Sequence, residues 1–570
     1  MYRYLLIFAV SFVIKSCAQQ NMKEYNGEWV GVLPNKTSYN LKVTVEPLDN
    51  NTYHLTIGND KILIDKNLES SSGDRIRINV DQQLFLNLER SLDGQNLSGF
   101  IKTGRFLYRV DLDKVGANTY TCGWNLFMFD NGLQSDDVML YVEQTNGDGY
   151  VAYPFFGDQR FRGTWTEHFQ RKGDTLLFRD GNSGLNFRAQ LLGNRIDFEV
   201  LLVDEVLAKT SLTHTTEGWE YRSNPLEEPQ NTNIPEVLKD GWKTADMMEY
   251  GMDKGILQRL IDSVNANALV NTHSILIAKE NKLVFETYFD GFNVNIPHDL
   301  RSASKSISSA IIGIAIDEQL IKGVDEKLID FIPQEGGLSG DSLKSKIRIK
   351  DLLTMSSGLD VNDSASENHY QDPSTPTSWL QTVLAASMVK EPGTYADYGS
   401  ANPFLLGVCL AERLDVPLED YMHEKLFAPL GITNYINQTD DSGITPYFGG
   451  GMLLTPRDLL KFGQLYLNDG EWNGEQVISK SWVAESFGKY VRLQDYKDKN
   501  EYGYLWWHDT YTVNEKNIKA IEARGAGGQF IFILPELNSV VVITSGNFRN
   551  RKGNQPRDIL KEYILPSLLN

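Results

Sequence analysis

From about residue 25 to residue 221 apolar and polar residues alternate in short runs. Tyr39–Val45 (YNLKVTV) and Arg75–Val80 (RIRINV) place every second side chain on one face, as half-buried strands do. Turn residues interrupt these runs at Asp49–Asn51, Ser71–Asp74, Leu92–Gly94 and Asn146–Gly149. A second group of strand-like runs follows from about Thr119, with Val138–Val142, Thr175–Phe178 and Ile196–Val200. The pattern predicts an all-β region over residues 25–221, built as barrel or sandwich modules, and two tandem modules fit it.

The texture changes after residues 222–240, where Pro225, Pro229 and Pro235 stand among Asn, Glu and Gln and mark a linker. Beyond it, Ser274–Ala278 (SILIA) and Leu283–Phe289 (LVFETYF) predict a hairpin turning at Glu280–Asn281. Ile307–Ile316 (ISSAIIGIAI) predicts a buried helix. Two late strands follow at Gln529–Leu534 and Ser539–Thr544. Strands at both ends with helices between them predict an α/β (α+β) domain over residues 241–570, with a central antiparallel sheet and a helical subdomain.

At 570 residues the chain is too long for one core, and 41% hydrophobic residues suffice for several. The net charge of -20 argues against nucleic acid or an anionic membrane surface as a partner. The eight histidines form no metal-type cluster, so neither a metal nor another cofactor is expected. Of the three cysteines, Cys122 and Cys409 sit in apolar surroundings and are expected in cores.

Residues 1–18 have the form of an export signal, with Arg3 before an apolar stretch from Leu5 to Ile14. Ile14–Cys17 resembles a bacterial lipoprotein box, which would lipidate Cys17 and tether the protein to the envelope; Ser16–Ala18 also suits ordinary signal peptidase. Either route takes the protein out of the cytoplasm, to the periplasm or to a lipid anchor.

Ser302 and Lys305 stand three apart at the start of the apolar helix, so a hydroxyl and an amine share one face. That pairs a nucleophile with a base. With Asp299 as N-cap, Ser302 falls in the first turn, where its own N–H has no intrahelical partner and can hold an oxyanion. To act as a base near neutral pH, a lysine with a reference pKa of ~10.4 must lose its proton, at a cost of about 4 kcal/mol.

Together with these residues, three further stretches make the second half resemble the β-lactamase-related serine hydrolases. They are Ile349–Asp360 (IKDLLTMSSGLD), Glu391–Thr394 ahead of Tyr398–Ser400, and Gly449–Asp458 (GGGMLLTPRD). That family includes class C β-lactamases, D-amino-acid peptidases, esterases and nylon-oligomer amidases. The resemblance implies that Tyr398 is the tyrosine of the Tyr-x-Asn motif and shares proton transfer with Lys305. Here Ser400 takes the place of the asparagine. The strand motif is matched by Ala523–Ala526 (ARGA), with Ala523 at the usual cation's place, Gly525 for close backbone approach and the Ala526 N–H as second oxyanion donor. Arg524 has two readings, a carboxylate binder or a surface charge.

Tyr370 is either a cleft residue or part of a solvent loop. Tyr504–Trp507 either borders the pocket or is aromatic core, and His298 and His508 lack a partner motif. The reading is an exported serine hydrolase that cleaves an ester or amide in a small molecule or peptide through an acyl-serine. Its rivals are a D,D-peptidase or β-lactamase, and an inactive surface binding protein; oligomeric state is open.

Overall fold

The computed structural model describes residues 25–33, 39–70, 75–126, 137–144, 150–156, 166–216, 234–333, 338–363, 370–371, 377–494, 500–548 and 550–569. The expected signal, Cys17 and most of the linker, residues 222–233, lie outside them.

The β-rich region is two eight-stranded meanders. In the first, strands run in sequence from Asn40–Pro47 to Tyr120–Asn125, each pairing antiparallel with the next except at Ile62–Glu69 and Arg75–Asn79. The last strand pairs back onto the first, Val43 opposite Cys122. A single bridge, Ser70 to Ile78, joins the strand Ile62–Glu69 to Arg75–Asn79 and brings the ends of the sheet together. Inward positions carry Leu41, Val43, Leu55, Ile57, Leu86 and Ile101, all buried, so side chains fill the interior.

The second meander runs from Asp137–Gln144 to Glu205–Thr215. Its eighth strand comes from the chain's beginning: Gly27–Val32 lies between Asp137–Gln144 and Glu205–Thr215, antiparallel to both. The two-module reading of the sequence therefore needs two amendments: the second module does not begin near Thr119, because Tyr120–Asn125 pairs back onto Asn40–Val45 and closes the first. The first strand of the region belongs to the second module, because Trp29, 1% exposed, buries its ring among that module's residues, edge-on to His214.

The C-terminal domain has a nine-stranded sheet. Within it Thr272–Lys279 pairs with Ser539–Ser545, which unites the two ends of the domain. Pairing is antiparallel except where Lys243–Thr244 runs parallel to Lys282–Leu283. The hairpin turns at Glu280 and Asn281, both at positive φ, as the expected two-residue turn requires. Both faces are covered, so the strands read as continuous apolar runs. Ile275 and Ile277 face helix Lys254–Asn265 and the C-terminal helices. Leu276 and Ala278 face the helices Lys305–Asp317 and Pro456–Leu467.

The first meander and the hydrolase domain share one sheet. Ile436–Gln438 pairs with Phe106–Tyr108, and beyond it Met452–Leu454 and His298–Asp299 extend the sheet to within three residues of Ser302. Ion pairing of Arg75 with Asp420 adds a second tie. At a third, Arg105 donates its backbone N–H to Asn182 of the second meander and accepts from Thr439 N–H (2.7 Å). Arg105 also lays its guanidinium 5.2 Å from the centre of the Trp379 ring. Asp240, at the end of the expected linker, is held by Arg457 at 2.9 Å.

Glu419, in the helix that meets the first meander, is 6% exposed, and burial pushes its carboxyl up to about 8. A carboxyl raised in the folded state contributes its stability below the unfolded value and loses it as pH rises through the folded one. Glu419→Gln should therefore match wild type near pH 4.5 and be more resistant to urea by pH 8.5. The gap should grow by roughly 1.4 kcal/mol per pH unit in between. Urea midpoints measured across that range test this, and parallel profiles would refute it.

Candidate active site

Ser302 does not lie in the first turn of an α-helix. Arg301–Ser304 forms a 3₁₀ turn, and the α-helix starts at Lys305. In a 3₁₀ turn residues three apart eclipse one another. Ser302 and Lys305 are therefore stacked, and Nζ lies 2.6 Å from the serine Oγ. Asp299 does not cap the α-helix as expected. Its carboxylate accepts the Arg301 N–H at 3.0 Å and pairs with the Arg301 Nε at 2.8 Å. This holds Arg301 at φ 48°, a conformation that costs a non-glycine residue about 1–3 kcal/mol, immediately before the serine.

Two glycines lie against this turn, and one of them lets a backbone segment close on it. A Cβ on Gly525 would lie 2.2 Å from the Leu300 carbonyl oxygen, so only glycine lets that strand approach. Ala526 follows it, exposed, in the turn after the strand Lys516–Gly525. Gly450 has φ 149°, and a Cβ there would sit 3.6 Å from Ser302 N. The sequence showed the Gly449–Gly451 run but not that Gly450 lies against the Ser302 turn.

Lys305 is 1% exposed. Besides Ser302, its amine reaches Ser400 Oγ at 2.9 Å and the centre of the Tyr398 ring at 5.1 Å. Hydroxyl, amine and phenol thus converge from residues 302, 305 and 398. Tyr398 is 7% exposed and packs on Trp507 with ring centres 5.3 Å apart, with Tyr502 edge-on at 6.4 Å. Of the aromatic run, Trp507 borders this tyrosine, Trp506 is core, and Tyr504 packs on Trp482 and Tyr490.

Asp363 escaped the sequence reading. Its carboxylate accepts the Ser400 N–H at 2.5 Å and the Ser400 hydroxyl at 3.0 Å, and its own N–H donates to the Tyr398 carbonyl at 3.1 Å. Because Ser400 donates its proton to Asp363, an oxygen lone pair is left for Lys305. The carboxylate thus fixes the short hydroxyl that faces Lys305. No motif marks Asp363, since loop partners are set by folding and not by spacing.

The other candidates separate. Arg524 meets carboxylates of this chain: Glu522 at 2.6 Å and Asp509 at 2.9 Å, with its guanidinium 4.7 Å from the Trp507 ring centre. Ala523 is buried, 1% exposed, and its neighbour Glu522 accepts the Tyr511 hydroxyl proton at 2.7 Å. Tyr370 is not in solvent: it is 2% exposed, bonded to the Tyr447 hydroxyl at 2.6 Å and edge-on to Trp379. His298 bonds His273 at 2.8 Å. Burial lowers the His508 pKa to about 4. Burial also raises the thiol of partly buried Cys122, to about 12, and that of buried Cys409. Among the described residues no group of His, Cys, Asp and Glu suits a metal ion.

A Beta-lactamase family model matches residues 257–564. The 6-aminohexanoate-dimer hydrolase of Paenarthrobacter ureafaciens is 26% identical over 297 residues, covering 48% of this chain and 71% of its own length. An uncharacterized Mycobacterium tuberculosis protein is 29% identical over 172 residues, 24% of this chain and 43% of its own. Among solved structures, the octameric penicillin-binding protein homologue of Pyrococcus abyssi is 21% identical with a TM-score of 0.44, covering 56% of this chain and 78% of that one. Simvastatin synthase of Aspergillus terreus is 16% identical with a TM-score of 0.44, covering 54% and 97%. With its family match spanning more than half of the sequence, the chain belongs to the β-lactamase family of serine hydrolases.

Proposed function

We propose that the protein is an exported hydrolase that cleaves a small ester or linear amide through an acyl-Ser302 intermediate. The observation that carries this reading is the buried Lys305 amine, in hydrogen-bond reach of Ser302 and Ser400 and beside the Tyr398 ring. Ser302 Oγ attacks the substrate carbonyl carbon while its proton passes to the Lys305–Tyr398 pair. The carbonyl oxygen becomes an oxyanion, held by the N–H groups of Ser302 and Ala526. Collapse breaks the bond to the leaving group, which takes the proton from the same pair. Water then attacks the acyl-serine carbonyl and gives a proton to the pair; as the acyl–oxygen bond breaks and the acid leaves, the pair passes that proton back to Ser302 Oγ.

Ester and amide substrates are preferred over cell-wall peptides and β-lactams for two reasons. Ala523 supplies no cation, and Arg524 is engaged by Glu522 and Asp509, so neither offers a charge to a substrate carboxylate. The relative named 6-aminohexanoate-dimer hydrolase supports an amide-cleaving member of the family. Export rests on the apolar stretch from Leu5 to Ile14 and on Cys17 as a lipid attachment point.

Purified protein should hydrolyse p-nitrophenyl acetate or butyrate and react with a fluorophosphonate probe. Ser302→Ala should abolish both. Lys305→Ala and Tyr398→Phe should each lower kcat by about 10²–10⁴-fold. A folded protein that neither labels nor turns over any ester or linear amide would favour the binding-protein reading. Rapid nitrocefin hydrolysis with inert esters would favour a β-lactamase.

Asp363 acts through Ser400, as a positioning residue. Asp363→Ala should lower kcat roughly tenfold or more with little change in KM, because the amine loses its orientation and not its substrate. Asp363→Asn, which keeps one acceptor oxygen, should recover part of the loss. Steady-state kinetics on one ester decide this; a KM effect alone would show that Asp363 merely shapes the loop.

A further inference from the structure

Each guanidinium nitrogen of Arg524 is engaged. Its Nε donates to Glu522 Oε2 at 2.6 Å, Nη1 to Asn500 Oδ1 at 3.3 Å and Nη2 to Asp509 Oδ2 at 2.9 Å. The acceptors are themselves held. Glu522 also takes the Tyr511 hydroxyl proton, Asp509 pairs with Arg557 of the helix Gln555–Ile559, and the Asn500 amide donates to the His508 carbonyl at 3.1 Å. A planar group bonded at three nitrogens is fixed in orientation. The Arg524 side chain is 13% exposed and that of Glu522 is 0% exposed. Burying such charges costs free energy that an apolar pair would not, so stability alone does not account for the arrangement.

The fixed plane faces Trp507. The guanidinium carbon lies 4.7 Å from the indole ring centre, within cation–π range. Tyr502 closes on the indole edge-on, with ring centres 5.0 Å apart. Trp507 opens the strand Trp507–Val513 opposite Glu522, so the indole and the arginine stand on adjoining strands. Against the indole lies the Tyr398 ring, at 5.3 Å between centres. Residues 397–399 belong to no helix or strand. Their backbone is tied through the Asp397 N–H to the Met355 carbonyl at 2.9 Å and the Tyr398 carbonyl to the Asp363 N–H at 3.1 Å. Neither bond fixes the direction of the Tyr398 side chain, which its ring neighbours must set.

We propose that Arg524 is a positioning residue: clamped by Glu522, Asp509 and Asn500, it holds the Trp507 indole against the Tyr398 ring and so fixes the phenol beside Lys305. This rests on the proton-transfer role given to Tyr398 above. A phenol that drifts from the amine loses proton transfer while the substrate still binds.

A double-mutant cycle with p-nitrophenyl butyrate tests this. Arg524→Met should lower kcat about tenfold with KM changed by less than about twofold, and Arg524→Lys, which keeps a cation near the indole, should recover part of the loss. In a Tyr398→Phe background the same Arg524→Met change should lower kcat by less than about twofold, because no phenol is left to hold. Removing Arg524 strands the buried Glu522 carboxylate. Should that variant fail to fold, Arg524→Met with Glu522→Gln carries the same expectations. Equal kcat losses in both backgrounds would give Arg524 a structural role only and overturn the proposal. A rise in KM with kcat unchanged would make it a substrate-binding residue, and a folded Arg524→Met with wild-type kinetics would leave it no role; either overturns the proposal too. In all three cases wild-type turnover that Ser302→Ala abolishes leaves the hydrolase reading standing, whereas a wild type that turns over no ester removes both.

Discussion

A lysine amine enclosed by the protein is the constraint on which the hydrolase domain turns. Taking a charged amine out of water costs several kcal/mol unless its donors find partners. Lys305 is met by the hydroxyls of Ser302 and Ser400 and by the Tyr398 ring. Each partner is itself fixed. The 3₁₀ turn holds Ser302, Asp363 holds Ser400, and Trp507 holds Tyr398. The strained Arg301 and the tight approach of Gly525 follow from the same need, since both set the turn that carries the serine. Relaxing any of them would let water reach the amine and remove the reason for its placement.

Much of this was legible in the chain. The alternation in Tyr39–Val45 gave strands, the hairpin turned where Glu280–Asn281 said it would, and the apolar run after Lys305 is a buried helix. Three kinds of fact were not legible. The 3₁₀ turn at Arg301–Ser304 was not, because three residues of spacing look alike in either helix. Asp363 was not, because its partner lies 37 residues away and a loop leaves no period. Arg524 stayed ambiguous because its partner Asp509 sits on the adjacent strand, and register is a tertiary property.

The β-rich half is joined to the chemistry and is not a detached appendage. A shared sheet runs from Phe106–Tyr108 to His298–Asp299, and Arg105 bridges both meanders to Trp379, whose neighbours are Tyr370 and Tyr447. A continuous hydrogen-bonded ladder is stiff along its length. The orientation of the segment entering the Ser302 turn is therefore set partly by the meander.

The placement of Gly27–Val32 bears on how the molecule is made. This segment leaves the ribosome first, yet its partners Asp137–Gln144 and Thr213–Thr215 emerge more than a hundred residues later. Through that interval a strand bearing Trp29 has no mate, while the meander it bypasses can close on its own neighbours. Such a distant contact delays folding and leaves an unpaired edge exposed to other nascent chains. It also means that the two meanders cannot be parted by a single cleavage between residues 125 and 137: the downstream fragment would lack a stave, and the upstream one would carry a stave that fits nowhere in it.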